Sequence, residues 1–526
     1  MHATKNKSAL TALEWLAIFI ILVLAAGLRL AALERVPPAL HVDEALNGYE
    51  AYSLLKTGRD EWGNPWPVTI RGFNDFRRPA IVYTAIPFVA LLGLNTFAIR
   101  ATAALWGWLG VVLAYRLGRD MLGRGIGLLF ALMLAISPWH TFRSRMGMEY
   151  TITMLSIMLS IWCGWRWFKS RRTAWLIATG VAFGLSLYTY SVTQAFTPLM
   201  LAACAVIFAR PLWQQRRTAA LALALCVLIS LPLVYALLSD RANANRLDSV
   251  TVLRPGEPLT KGLLIAARQW LGHFSPDYLF LHGDANLTAH PPGFGQLVLA
   301  DALLLPLGVL GLARAKKWRE GALIIAWIAL GAIPAALTVQ DAGTAHSGRG
   351  MIGVPAYALL SAVGVMAVWS ARRIGPRWRM ALAGALAGLV IWNSTLVMRD
   401  YFVTYPVESA RAFEYGVKEA IDYVTAHESE YDAIVLTDWI SQPHIFALFF
   451  QRVDPARFQA LAPTYGAKLS VKLKSWGKYQ AADVDKLYPQ LEHGLFVARP
   501  HMLAGIEPVW TINHPDGSPA FKIIAK

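Results

Sequence analysis

The residues best able to do chemistry in this chain lie in a few short polar stretches between long apolar runs. Asp43 and Glu44 are adjacent in HVDEALN, directly after the first apolar segment. Two carboxylates there are either an ordinary helix start, favoured by the helix dipole, or the acidic end of a group-transfer site. Asn47 and Glu50 continue the polar stripe that Asp43 begins. Farther on, Asn74, Asp75, Arg77 and Arg78 precede a proline and another apolar stretch. Arginines at a membrane surface can simply anchor to lipid phosphate; alternatively, the guanidinium fork of Arg78 can hold the phosphate of a lipid-linked substrate. The run SPWHTFRSRMGMEY carries His140, Arg143, Arg145 and Glu149. Arg145 and Glu149 are also spaced for a structural pair at i, i+4.

Two further stretches complete the set. His346 and Arg349, in HSGR, head a late apolar run, where the arginine either snorkels to headgroups or approaches an anionic group in a cavity. Tyr188, Tyr190 and Gln194 share a turn and either line a sugar site or belong to an interfacial aromatic belt. Asp277, His282, Asp284 and His290 match no metal-ligand spacing and read as solvated loop residues.

These groups need a scaffold, and composition says which kind. At 56% hydrophobic and 16% charged over 526 residues, the chain is too apolar for a soluble globular enzyme. Apolar runs of near-spanning length predict eleven membrane helices, at about 12–33, 97–117, 125–138, 148–166, 174–191, 195–209, 217–238, 297–314, 320–338, 350–370 and 378–396. Basic clusters at 116–124, 166–172, 210–217, 314–319 and 372–379, together with Lys5 and Lys7, place those loops and the N-terminus in the cytoplasm. That pattern holds only if 79–94 does not span, so this stretch, with Pro79 at its head and Pro87 inside, is expected to lie along the interface. The net charge of +16 then faces anionic lipid and calls for no nucleic acid. Cys163, Cys204 and Cys226 all lie in apolar segments and read as packing residues.

The outer connections that would carry the site are chiefly 34–96 and 239–296. Within the first, a helix over 44–57, capped by Asp43 and closed by Gly58, would rest on the interface. From 397 the pattern changes to helix at 408–427, strand at 433–437, helix at 441–451 and strands at 494–498, 507–512 and 520–524. This alternation predicts a small extracytoplasmic α/β domain over 397–526, following a membrane domain over 1–396.

The order of motifs resembles the GT-C superfamily of polyprenyl-phosphate-sugar-dependent glycosyltransferases. It is most similar to the protein O-mannosyltransferase-like branch (glycosyltransferase family 39), which includes the aminoarabinose transferases that modify lipid A. HVDEALNGYEAY, FRRPAIVY, FAIRATAALWGWLGVVLAYRLGRDMLG, SPWHTFRSRMGME and GRGMIGVPAYALLSAVG carry the resemblance, best over 12–210. Relatives often have lysine where Arg78 stands. The resemblance implies inverting transfer, on the extracytoplasmic face, from a polyprenyl-phosphate-linked sugar to a hydroxyl of a protein, lipid or glycan. It makes Asp43 the general base and gives Glu44 a part in orienting donor or acceptor. Arg78 and Arg349 would hold the departing phosphate, with Arg145, Glu149 and His346 in support. It implies no redox cofactor and no protein metal ligands, and leaves a divalent cation open. The alternative class, a transporter or flippase for a lipid-linked sugar, should show mid-membrane charges and an internal repeat; this chain has its charges at helix ends.

Overall fold

The computed structural model describes residues 11–73, 76–239, 251–254, 256–340, 343–371, 375–461 and 473–526. Lys5, Lys7, Asn74, Asp75, Arg372 and Arg373 lie outside the described residues. The membrane part opens with α1 (Ala12–Leu30), whose first turn is closed by a Thr11–Glu14 capping box. Next come α2 (Val42–Thr57), α3 (Ala80–Leu92), α4 (Thr96–Leu122), α5 (Arg124–Ile136), the short α6 (Pro138–Arg143), α7 (Tyr150–Ser170), α8 (Thr173–Ser186) and α9 (Val192–Ile207). Helices Arg216–Ser239, Asp301–Arg314, Trp318–Gly331, Val354–Trp369 and Pro376–Val403 complete it.

Every expected span contains a helix, but among the described residues six helical stretches are both long and apolar enough to cross a membrane: 12–30, 96–122, 216–239, 318–336, 347–369 and 376–403. The other five of the eleven expected spans fall below that measure. Thus α5, α8 and α9 have 13, 14 and 16 residues, and α9 contains Pro198. The chain is a multi-pass membrane protein. The helix in the stretch expected to lie along the interface, α3, has 13 residues, as few as α5, and packs on α2.

Beyond the last spanning helix, which runs past residue 396 to Val403, the chain forms a six-stranded sheet. After a small hairpin of β1 (Ile70–Arg71) with β2 (Phe76–Arg77), the strands are β3 (Ala433–Thr437), β4 (Ser475–Trp476), β5 (Tyr479–Ala482), β6 (Gly494–Ala498), β7 (Trp510–Asn513) and β8 (Pro519–Ala525). They are ordered β4-β5-β3-β6-β8-β7, with β3 parallel to both neighbours and the other pairs antiparallel. The helix expected over 408–427 is confined to Val417–Ala426, and β4 and β5 went unforeseen.

This sheet domain does not stand apart. Leu46 and Tyr49 of α2 and Val82 and Ala85 of α3 share one core with Ile445, Leu448 and Phe449 of helix Pro443–Phe450. The packing is close enough to need glycine: a Cβ on Gly48 would stand 2.5 Å from the Phe449 ring. The Tyr49 hydroxyl donates to the Val453 carbonyl at 3.1 Å. One side of α2 is thereby fixed from behind, while its first turn carries Asp43 and Glu44.

Candidate active site

The start of α2 is set by local chemistry. His41 is the N-cap, its Nδ1 accepting from the Asp43 N–H at 3.2 Å, while the Glu44 carboxylate accepts from the His41 N–H at 3.0 Å. The two readings of the acidic pair then divide between its members. Glu44 is fully buried and accepts from Arg100 Nε (3.0 Å), an Arg100 terminal nitrogen (3.1 Å) and the Gly147 N–H (2.7 Å). Arg100, also fully buried, donates further to the carbonyls of Leu33, Pro37 and Ala39. With its oxygens so engaged, Glu44 is closed off from any substrate. It clamps α2, α4 and the turn before α7, which corrects the expectation that it orients donor or acceptor. Gly147 belongs to this clamp because a Cβ there would stand 2.2 Å from an Ile99 methyl.

Asp43 is turned the other way and stays partly accessible, with 28% of its side chain exposed. Arg77 donates to its Oδ1 at 2.5 Å. Arg77 and Arg78 are neighbours, but β2 ends at Arg77 and the two side chains part. Arg78 is buried, with one nitrogen on the Phe76 carbonyl at 3.0 Å. The N–H of Ala80, two residues on, donates to the Tyr188 carbonyl at 3.3 Å, so the Arg78 segment is docked on the α8–α9 turn.

Tyr150 marks where these groups converge. Its hydroxyl lies in the field of Arg143, Glu149, Asp43 and Arg349 together. The Arg143 guanidinium sits over its ring at 4.5 Å, and Tyr190 meets that ring edge-on at 6.0 Å. Arg143 of α6, Tyr190 of the α8–α9 turn and the HSGR turn at Gly348 thus pack around one phenol. Tyr150 was not singled out in the sequence, where it reads as the last residue of an arginine-rich run.

The HSGR turn is held by a second set of bonds. His346 Nδ1 accepts from the N–H groups of Gly348 (3.1 Å) and Arg349 (3.3 Å), and its own N–H donates to His273 Nε2 at 3.2 Å. Burial, then the nearby Arg349 charge, pushes the His346 imidazole down to about 3, so it is neutral. Arg349 donates to Thr338 Oγ1 (3.0 Å) and the Val339 carbonyl (2.8 Å), leaving it half-buried at the edge of the cluster.

Asp284 is a correction. Read as a solvated loop residue, it is buried and accepts from both the N–H and the hydroxyl of Ser347 at 2.7 Å. Arg143 also donates to that hydroxyl. Burial alone would raise the Asp284 pKa, but the bonds from the Ser347 and Asn286 N–H groups hold it below the ordinary range. His290 is buried too, donating through Nε2 to the Phe294 carbonyl (2.7 Å), whereas Asp277 and His282 form an exposed pair. Among the described residues, no three His, Cys, Asp or Glu side chains come together as a metal cluster.

The remaining expected residues are scattered. Arg145 donates to the carbonyls of Leu28, Ala31 and Val36, tying down the exit of α1. Glu149 is buried beside Tyr150. Asn47 donates to the Gly147 carbonyl at 3.0 Å, a framework bond instead of a sugar contact. The Tyr188 hydroxyl is taken by the Ile229 carbonyl at 2.6 Å, away from the cluster, and Gln194 is half-buried in the first turn of α9.

The fold is shared with solved structures of other membrane proteins. It is similar to ArnT from Cupriavidus metallidurans bound to undecaprenyl phosphate over 98% of this chain and 97% of that one, with a TM-score of 0.53 and 14% identity. It is similar also to the oligosaccharyltransferase AglB from Archaeoglobus fulgidus, in complex with an inhibitory peptide and a dolichol-phosphate, over 84% of this chain and 64% of that one (TM-score 0.52, 13% identity). Residues 77–235 match the family described as dolichyl-phosphate-mannose-protein mannosyltransferase. YycA of Bacillus subtilis (strain 168), named as a mannosyltransferase, is 25% identical over 167 residues, 32% of this chain. A dolichyl-phosphooligosaccharide-protein glycotransferase of Pyrococcus furiosus is 26% identical over 168 residues. These alignments span about a quarter or less of the relatives' own length, 24% and 21%.

Proposed function

We propose that the chain transfers a sugar from a polyprenyl-phosphate donor to a hydroxyl acceptor on the extracytoplasmic face, with inversion at the anomeric carbon. The observation that carries this reading is the partly exposed Asp43 carboxylate, held by Arg77 at the head of α2. In the step, the acceptor oxygen bonds to the anomeric carbon while the bond from that carbon to the phosphate oxygen breaks. The acceptor proton passes to Asp43, and the electron pair leaves with the polyprenyl phosphate. Arg349 and Arg78 meet the charge that develops there, and Arg77 holds the Asp43 carboxylate in line. Glu44 acts only by fixing α2. The N-terminus and the basic clusters face the cytoplasm in this reading, which puts Asp43 outside and the donor within reach of the bilayer.

Asp43→Asn tests it in membranes supplied with a polyprenyl-phosphate sugar. Transfer should fall by about two to four orders of magnitude, as for loss of a general base, while thermal unfolding stays unchanged. Normal transfer by a normally folded variant overturns the assignment.

A further inference from the structure

A groove on another side of the molecule is used by none of this chemistry. It is walled by α1 and α5 on one flank and by helices Val354–Trp369 and Pro376–Val403 on the other, and has a volume of about 790 Å³. Its walls are almost wholly apolar, from Leu24 and Leu28 through Leu132 to Val390 and Phe402; Ser394, Thr395 and Arg399 are the polar exceptions. Arg78, Tyr188 and Arg349, at the candidate active site, are not among its walls.

Length says what kind of molecule fits. Along the last spanning helix the groove runs from Ala383 to Phe402, about 29 Å at 1.5 Å per residue, close to the full ~30 Å hydrocarbon thickness. An acyl chain of one leaflet covers roughly half of that. Open along one side, the groove can seat a hydrocarbon chain lengthwise against the last spanning helix. Charge marks the head end. Arg399 is 22 positions beyond Arg377 on the same helix, about 33 Å, so the two arginines occupy opposite headgroup layers. The Arg399 end is the one facing the active site, because Tyr401 stacks on Phe142 of α6 at 4.1 Å. Arg399 is exposed, lines the groove, and has no hydrogen bond or ion pair among the described residues.

We infer that this groove is a second lipid site, which takes one long isoprenoid chain with its phosphate on Arg399, separate from the donor phosphate at Arg78 and Arg349. The inference rests on the membrane-transferase reading only for the availability of such lipids. Charge complementarity sets the head, and a chain longer than one leaflet sets the tail.

Native mass spectrometry of the full chain, stripped of endogenous lipid and loaded with undecaprenyl phosphate, should count two bound molecules. Ala387→Trp, placed on the open wall, should remove one, and Arg399→Gln should weaken that site about tenfold, as for one charge-assisted bond. Arg78→Gln should remove the other, and excess phosphatidylglycerol should displace neither. Two lipids retained in both groove variants overturn the proposal. So does displacement by phosphatidylglycerol of the molecule those variants lose, since an ordinary boundary phospholipid would then fill the groove. Loss in the groove variants with no loss in Arg78→Gln supports the second site and refutes the donor-phosphate assignment instead.

Discussion

Replacing Glu44 separates a residue that builds the site from one that does the chemistry. In Glu44→Gln the Arg100 guanidinium stays fully buried with its three carbonyl partners but loses its only carboxylate, and the new amide sets N–H groups against N–H donors from Arg100, Gly147 or His41. Breaking one side of a buried ion pair costs about 3–5 kcal/mol. The pair is also partly compensated by neutral bonds, so removing both charges should cost less than the sum of the single changes. A cycle of Glu44→Gln, Arg100→Met and the double variant should show a coupling of about 2 kcal/mol. The assay is thermal unfolding of purified protein beside transfer from a polyprenyl-phosphate sugar. Glu44→Gln should lower the melting temperature by several degrees and recover transfer in the fraction that stays folded at low temperature. A variant with unaltered melting and abolished transfer would refute the argument, because Glu44 would then act on substrate and not on the frame.

Three other perturbations test separate parts of the structure. Asp284→Ala frees the Ser347 turn that carries Arg349, losing bonds to a charged acceptor worth about 1.5–3 kcal/mol each; KM for donor should rise about tenfold or more with little change in kcat, and a steady-state titration of donor checks this. Glu61 is buried, and burial, then the charge of Asp60, raises its carboxyl to about 8. A raised carboxyl stabilises the fold least above that value, so stability should grow as pH falls from about 9 towards 5, and Glu61→Gln should flatten the melting-temperature profile by removing a penalty of a few kcal/mol on the alkaline side. A Cβ on Gly180 would stand 2.0 Å from the Ala222 carbonyl oxygen, so Gly180→Leu must part α8 from helix Arg216–Ser239 and should abolish the monodisperse peak in size-exclusion chromatography.

What could be read from the chain in advance follows the range of the forces involved. The end of α2 is written in Gly58, a left-handed C-cap at φ 67°, but its start was misplaced: His41, whose Nδ1 takes the part expected of the Asp43 carboxylate, caps a helix that begins at Val42. The helix at α3 was equally local, its bounds following the apolar run between Pro79 and Gly93. The helices came where the apolar runs are. Their lengths did not, because Pro198 and the early ends of α5 and α8 shorten elements whose hydropathy continues past them.

The partners within the site were invisible for a different reason. Glu44 and Arg100 are 56 positions apart, Asp284 and Ser347 63, and Arg143 and Ser347 204. No periodicity records such pairings. The same gap explains why Arg78 drew attention while Arg77 did not: adjacent arginines look interchangeable until the β1–β2 hairpin sends one to Asp43. It also explains why the sheet domain, which offers no catalytic signature, still bears on the site. Helix Pro443–Phe450 presses on α2 at Gly48, one turn beyond Asp43 and Glu44, and Gln459 donates to Ser53, Thr57 and the Asp60 carbonyl at the other end of the same helix. A carboxylate that must meet an acceptor proton within a few tenths of an ångström needs its helix immobile. An interfacial helix held on one side by lipid alone would not provide that. The C-terminal sheet domain supplies the other side, through Phe449 and Val453 on α2.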